Sequence, residues 1–296
     1  MRPVKWGRLI TAMVTPFDED MEVDYAVARR LAQSLVSSGS DAVLVGGTTG
    51  ESPSLSSEEK TRLLETVLDA VGDKVPVIAG TGTNSTSDSI EYTARAEAAG
   101  AHGIMLVTPY YNKPPQAGLV DHFTRVAGAT GLPVMLYNVP GRTSTNMLPP
   151  TVEKLAAVPN IVAVKEASGN LDQITEIVRR VLPGFLVYSG DDSMTLPVLC
   201  VGGYGIVSVA SHVAGPAIKR MMEKYVAGDT AGAARVHRDL FPLFKGLFMT
   251  TNPMPVKAAL AMVGMDVGYT RPPLCRLTPE ESRLLREIMK QAGLVE

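Results

Sequence analysis

Short apolar and β-branched runs recur along the chain. Each is followed by a loop rich in Gly, Thr, Pro or Asn, and then by a stretch with apolar residues at every third or fourth position. The first kind of run has the length and composition of a buried strand, the second the period of an amphipathic helix. Strands are predicted at Leu9 to Val14, Ala42 to Val45, Val75 to Ala79, Gly103 to Val107, Pro133 to Tyr137, Ile161 to Lys165, Phe185 to Ser189 and Gly205 to Ser208. Helices are predicted between them, for example Tyr25 to Ser37, Ser57 to Val71 and Ser87 to Ala99. The second of these opens on a capping-type start, Ser56-Ser57-Glu58-Glu59.

Strands alternating with helices imply parallel pairing through right-handed crossovers. Eight such units in roughly 220 residues fit an α/β fold of the (β/α)8 TIM-barrel type, usually about 250 residues, better than an open doubly wound sheet. The Gly-x-Gly-x-x-Gly fingerprint of dinucleotide-binding sheets is also missing after the first strand. Beyond Ser208 the pattern is helical, with breaks at Pro216, at Asn252-Pro253-Met254-Pro255 and at Arg271-Pro272-Pro273. It is read as the eighth barrel helix followed by a C-terminal helical extension, so that residues 1–225 form the barrel and 226–296 the extension.

Composition excludes more than it identifies. With 45% hydrophobic and 20% charged residues over 296 positions, the chain can bury a large core and is neither disordered nor fibrous. Lys plus Arg is 28 against 30 for Asp plus Glu, with no block of like charge, so neither nucleic acid nor an anionic membrane is an expected partner. Apolar stretches such as Leu9 to Val14 fall far short of the roughly 20 residues of a membrane span, and no signal, transit or anchor segment is read. Cys200 and Cys275 form no CxxC pair, and His102, His122, His212 and His237 follow no metal-site spacing. A reduced, cytoplasmic chain without metal or organic cofactor is expected.

Candidate chemistry clusters at strand ends. Lys165 closes the run Ile161-Val162-Ala163-Val164. A partly desolvated amine there has a lowered pKa and can condense with a ketone or aldehyde as a Schiff base; the plain alternative is a lysine reaching back to solvent. In a barrel the C-terminal strand ends carry the active site, which favours the catalytic reading. The second strand ends in Gly46-Gly47-Thr48-Thr49-Gly50-Glu51-Ser52, whose hydroxyls and N–H groups suit a carboxylate, or simply make a glycine turn capped by threonines. Tyr137 ends the fifth strand as Lys165 ends the sixth, in position to move protons. Arg142, beyond a Pro-Gly turn, offers a fork for a carboxylate. For these two the alternatives are a barrel-rim aromatic and a surface charge. Tyr110 and Tyr111 sit in a rigid proline loop of the kind that packs interfaces; Tyr111 is equally open to an active-site role. Strand alternation turns Glu166 away from Lys165, so it is not taken as the base.

Six motifs in order carry a resemblance over nearly the whole chain: GGTTGES at Gly46 to Ser52, TPYYNKPP at Thr108 to Pro115, YNVPGRT at Tyr137 to Thr143, VKEASGN at Val164 to Asn170, SGDD at Ser189 to Asp192 and NPMPVK at Asn252 to Lys257. The chain resembles the dihydrodipicolinate synthases, pyruvate-dependent class I aldolases grouped with N-acetylneuraminate lyase. The resemblance implies Schiff-base condensation of pyruvate with L-aspartate 4-semialdehyde on Lys165, without a cofactor. It implies a proton relay of Tyr137, Thr48 and Tyr111, the last reaching in from the neighbouring subunit of a tight dimer. Thr49 and the backbone at Ile206 are implied for the pyruvate carboxylate, Gly190 of the SGDD motif for substrate binding, and Arg142 for the carboxylate of the second substrate. The family usually forms a dimer of tight dimers. The nearest rival is another pyruvate aldolase or dehydratase, acting on sialic acid or a 2-keto-3-deoxy sugar acid; Arg142 argues against it, since such substrates have no distal carboxylate in that place. Relatives inhibited by lysine bind it at positions that here are Ser52, Pro53, Ser57, Lys60, Asn84, Asp88 and Tyr110, and Lys60 implies weak or absent inhibition.

Overall fold

The computed structural model describes residues 4–296. Eight strands, β1 (Leu9–Ala12), β2 (Ala42–Val45), β3 (Val77–Gly80), β4 (Gly103–Val107), β5 (Val134–Asn138), β6 (Ile161–Glu166), β7 (Leu186–Ser189) and β8 (Gly205–Ser208), pair in parallel in chain order, and β8 pairs back onto β1. The result is a closed TIM barrel. Alternation divides each strand between two layers. Ile10, Leu44, Ile78, Met105, Met135 and Ala163 fill the barrel interior. Val43, Val77, Leu106, Leu136, Val164 and Ile206 belong to the larger apolar layer shared with the helices.

Among the described residues the helices are α1 (Tyr25–Ser37), α2 (Ser57–Val71), α3 (Thr86–Ala98), α4 (Gln116–Gly128), α5 (Pro140–Thr143), α6 (Pro149–Ala156), α7 (Leu171–Arg180), α8 (Thr195–Cys200), α9 (Ser211–Val226), α10 (Thr230–Gly246), α11 (Met254–Met262) and α12 (Pro279–Gln291). The start of α2 is a full capping box: Ser56 Oγ accepts from Glu59 N, and the Glu59 carboxylate accepts from Ser56 N. No helix is long and apolar enough to cross a membrane among the described residues.

Element edges differ from the sequence reading where a local hydrogen bond competes. β1 ends at Ala12 because the Val14 N–H is donated to His212 Nε2 rather than to a neighbouring strand. β3 begins at Val77, after Pro76, and the Val75 N–H closes the end of α2 on Val71 O. α3 begins at Thr86 because Ser85 caps it, its Oγ accepting from Asp88 N. Pro216 does not break the helix after β8: α9 kinks at Ala214 and continues.

Candidate active site

Tyr137 and Lys165 are directly paired across β5 and β6 at the C-terminal end of the barrel. Lys165 lies two residues beyond Ala163 on the inward face, and its Nζ stands 4.2 Å from the centroid of the Tyr137 ring. It is 5% exposed. Burial lowers its pKa to about 8, against the attraction of the Asp192 carboxylate, while the positive charge of Arg142 adds to the fall. Gly190, at the end of β7, makes room for the lysine, since a Cβ there would sit 3.1 Å from both Cγ and Cε of Lys165.

Burial holds the Tyr137 phenol above its ordinary pKa, opposed by a side-chain hydrogen bond with Thr48 and by the charge of Arg142. A cavity of about 260 Å3 opens over this group, with Thr48, Tyr137, Arg142, Thr143, Tyr110 and Lys60 among its walls. Thr49 is buried next to Thr48. Among the described residues, the backbone N–H groups of Thr48 and Thr49 have no acceptor, which leaves two donors for an anion. The Ile206 N–H is donated to Arg8 O, the pairing of Ile206 with Leu9 places its carbonyl in the same β1–β8 ladder, and its side chain belongs to the helix layer, so the expected backbone contact from Ile206 to a carboxylate has no free N–H behind it.

Lys165, Tyr137, Thr48 and Arg142 therefore come together in one chain, with Thr49 and Gly190 adjoining them. Tyr111 does not join them: it is 89% exposed, in a left-handed conformation with φ of 72°. Tyr110, beside it, is half-buried in the cavity wall.

Three groups to which the sequence assigned no role in the site support it. Asp192 is a buried carboxylate that accepts from Ser208 Oγ and from the N–H groups of Val209 and Ala210; burial raises its pKa. The SGDD motif was the signal for it. Behind Tyr137 and Lys165, the residues that follow them, Asn138 and Glu166, are hydrogen-bonded at 3.0 and 3.1 Å, and Glu166 also accepts from Ser168 N and Gln173 Nε2. The third group is Asn252, whose side-chain amide donates to Thr49 Oγ1 at 2.9 Å. Its motif, NPMPVK, was visible, but nothing local in it shows which strand-end loop it meets.

His102 Nδ1 accepts from Val77 N, His122 Nδ1 meets Thr86 Oγ1, and His237 packs its ring against Phe241 and Phe244. Buried His212 accepts from Val14 N and meets Val209 O, and desolvation lowers its pKa to about 4. Among the described residues no group of three or more His, Cys, Asp or Glu could hold a metal ion.

The family model of the dihydrodipicolinate synthetase family matches residues 5–292. The chain belongs to that family. Relatives within it include the 4-hydroxy-tetrahydrodipicolinate synthase of Desulforudis audaxviator, 57% identical over 293 residues, with 99% of each chain covered. The 4-hydroxy-tetrahydrodipicolinate synthase of Heliobacterium modesticaldum is 55% identical over 98% of this chain and 97% of its own. Among solved structures, dihydrodipicolinate synthase from Cyanidioschyzon merolae with lysine bound superposes with a TM-score of 0.97 at 51% identity, covering 98% of this chain and 99% of that one.

Proposed function

We propose that the protein condenses pyruvate with L-aspartate 4-semialdehyde to give 4-hydroxy-tetrahydrodipicolinate. The observation that carries the reading is a buried lysine of lowered pKa, paired across the strands with a protonated tyrosine at the mouth of a barrel. The names borne by its relatives support the same activity.

In this reading the neutral Lys165 amine adds to C2 of pyruvate, and the carbinolamine loses water to give the imine. Loss of a methyl proton gives the enamine, whose carbon attacks the aldehyde of the second substrate. The amino group of that substrate then adds to the imine carbon and expels the lysine amine, closing the ring. One water leaves over the whole sequence, and every step moves a proton. Tyr137 serves as the donor and acceptor, because its raised pKa keeps the hydroxyl protonated at neutral pH, and Thr48 hands the proton on. The pyruvate carboxylate rests on the Thr49 hydroxyl and the free N–H groups of the loop, with Gly190 bounding the same end. Arg142 takes the carboxylate of the semialdehyde with its planar fork.

Tyr111 completes the relay from a second copy of the chain, which makes the working unit a homodimer and, by the family habit, a dimer of dimers. Its exposure supports this, because an aromatic ring held at the surface in a left-handed turn is available to a partner. A coupled assay offering pyruvate with aspartate semialdehyde, and separately N-acetylneuraminate and 2-keto-3-deoxygluconate, tests the function. Turnover is expected with the first alone; comparable turnover of either sugar acid would overturn it.

A further inference from the structure

The C-terminal segment reaches the second strand's loop at two buried points. Asn252, just before α11, donates its side-chain N–H to Thr49 Oγ1 at 2.9 Å, and both residues are buried. Two residues further along the loop, Glu51 Oε1 meets Lys257 Nζ of α11 at 2.7 Å, while Glu51 Oε2 accepts from the Arg271 N–H at 3.0 Å. Glu51 has φ of 54°, in the left-handed region that disfavours a side chain, so the loop's conformation is held by these outside contacts. Lys257 also donates to Tyr269 O, and its ammonium and the Arg271 guanidinium both stand over the Phe17 ring, at 4.2 and 4.5 Å.

The direction of the Asn252 bond has a chemical consequence. A threonine hydroxyl has one proton to donate. With Asn252 Nδ2 toward Thr49 Oγ1 and Asn252 Oδ1 buried without a partner, the Thr49 O–H is left to donate, which is what a carboxylate requires. We propose that Asn252 is a positioning residue for pyruvate, orienting the Thr49 hydroxyl as a donor while the Glu51–Lys257 pair holds the loop in register. The inference rests on the reading of Thr49 as a pyruvate contact. It assigns the C-terminal extension a part in substrate binding rather than in stability alone.

The test measures the rate of borohydride trapping of pyruvate against pyruvate concentration in the full-length protein. Asn252→Ala should raise the half-saturating pyruvate concentration about tenfold, the scale of one hydrogen bond to a charged group. The KM for the semialdehyde should stay within about twofold, because Arg142 approaches only the backbone oxygen of Asn252, at 3.5 Å. If Asn252 acts through Thr49, the double variant Asn252→Ala with Thr49→Val should bind pyruvate no worse than Thr49→Val alone. Additive losses, or unchanged pyruvate saturation in Asn252→Ala, would overturn the inference. Should the alanine variant fail to fold, Asn252→Asp keeps the shape but accepts the Thr49 proton, and it too must weaken pyruvate binding; unchanged saturation there overturns the inference equally. A wild-type chain that traps no pyruvate at all would overturn the functional reading with it, so the two failures are distinct.

Discussion

Glu51 and Lys257 form an ion pair of 2.7 Å in which each side chain is only 3% exposed. Burial takes Lys257 down to a pKa of about 8, the same value as Lys165. A lowered pKa by itself therefore does not single out the reacting lysine. Partners do: the Lys257 amine is engaged by Glu51 and by Tyr269 O, whereas Lys165 faces Tyr137 at the end of the barrel.

Pyruvate with borohydride should accordingly modify Lys165 and spare Lys257. Only the neutral amine condenses; at pH 7 a pKa of about 8 leaves about a tenth of Lys165 neutral, against roughly one in three thousand for an ordinary lysine. The folded-state pKa lies below the ordinary value, so trapping should rise as pH increases toward 8 and level off above it. Peptide mapping that found the adduct on Lys257 or Lys113 would refute the mechanism.

Removing the tyrosine hydroxyl should separate chemistry from folding. Tyr137→Phe should keep the thermal unfolding midpoint within a few degrees and reduce kcat by roughly 10²- to 10⁴-fold, the usual scale for one acid-base group. Near-normal turnover would mean that another group moves the proton.

Tyr111 offers a test of the assembly. Tyr111→Phe should lower activity, and mixing it with an inactive Lys165→Ala chain should restore part of it, since a hybrid dimer contains one site with both groups intact. Hybrids shown to form by mass spectrometry, yet without recovered activity, would place Tyr111 outside the relay.

Inhibition by lysine should be weak. Lys60 lies in the cavity wall with Ser52, Pro53 and Tyr110, its Nζ 4.4 Å from the centroid of the Tyr92 ring. A like-charge contact at about 4 to 6 Å in a partly dry cleft costs on the order of a few kcal/mol, or two or more decades of affinity. The inhibition constant should exceed about 1 mM, the level of ~4 kcal/mol of binding, and a lower measured value contradicts the argument.

Breaking the buried pair should cost stability out of proportion to replacing it. Lys257→Met leaves the Glu51 carboxylate buried without its countercharge and should destabilise by about 3–5 kcal/mol, while adding Glu51→Gln should recover much of that loss. Urea unfolding at one fixed protein concentration reads both; equal stability of single and double variants would show that the pair carries no such coupling.

The barrel and the identity of its strand-end residues were legible in the chain, because strand period, helix period and turn chemistry are local. Parity along β6 places Lys165 inward and Glu166 outward, and the same parity on β5 does so for Tyr137 and Asn138. Register and closure are not local. That Tyr137 lies opposite Lys165 depends on the pairing of β5 with β6, which strand pattern alone leaves free to slip. Nor does any local signal join Asn252 to Thr49 or Lys257 to Glu51, more than 200 positions apart in chain order. Those contacts exist because closing the barrel and packing the last helices on it bring buried polar groups together, and burial makes each of them need a partner. Sequence by itself determined the elements, the inward and outward faces and the candidate side chains at the strand ends. Tertiary structure alone decided which loops meet, and that Glu51 and Tyr269 O engage Lys257 while Lys165 faces Tyr137.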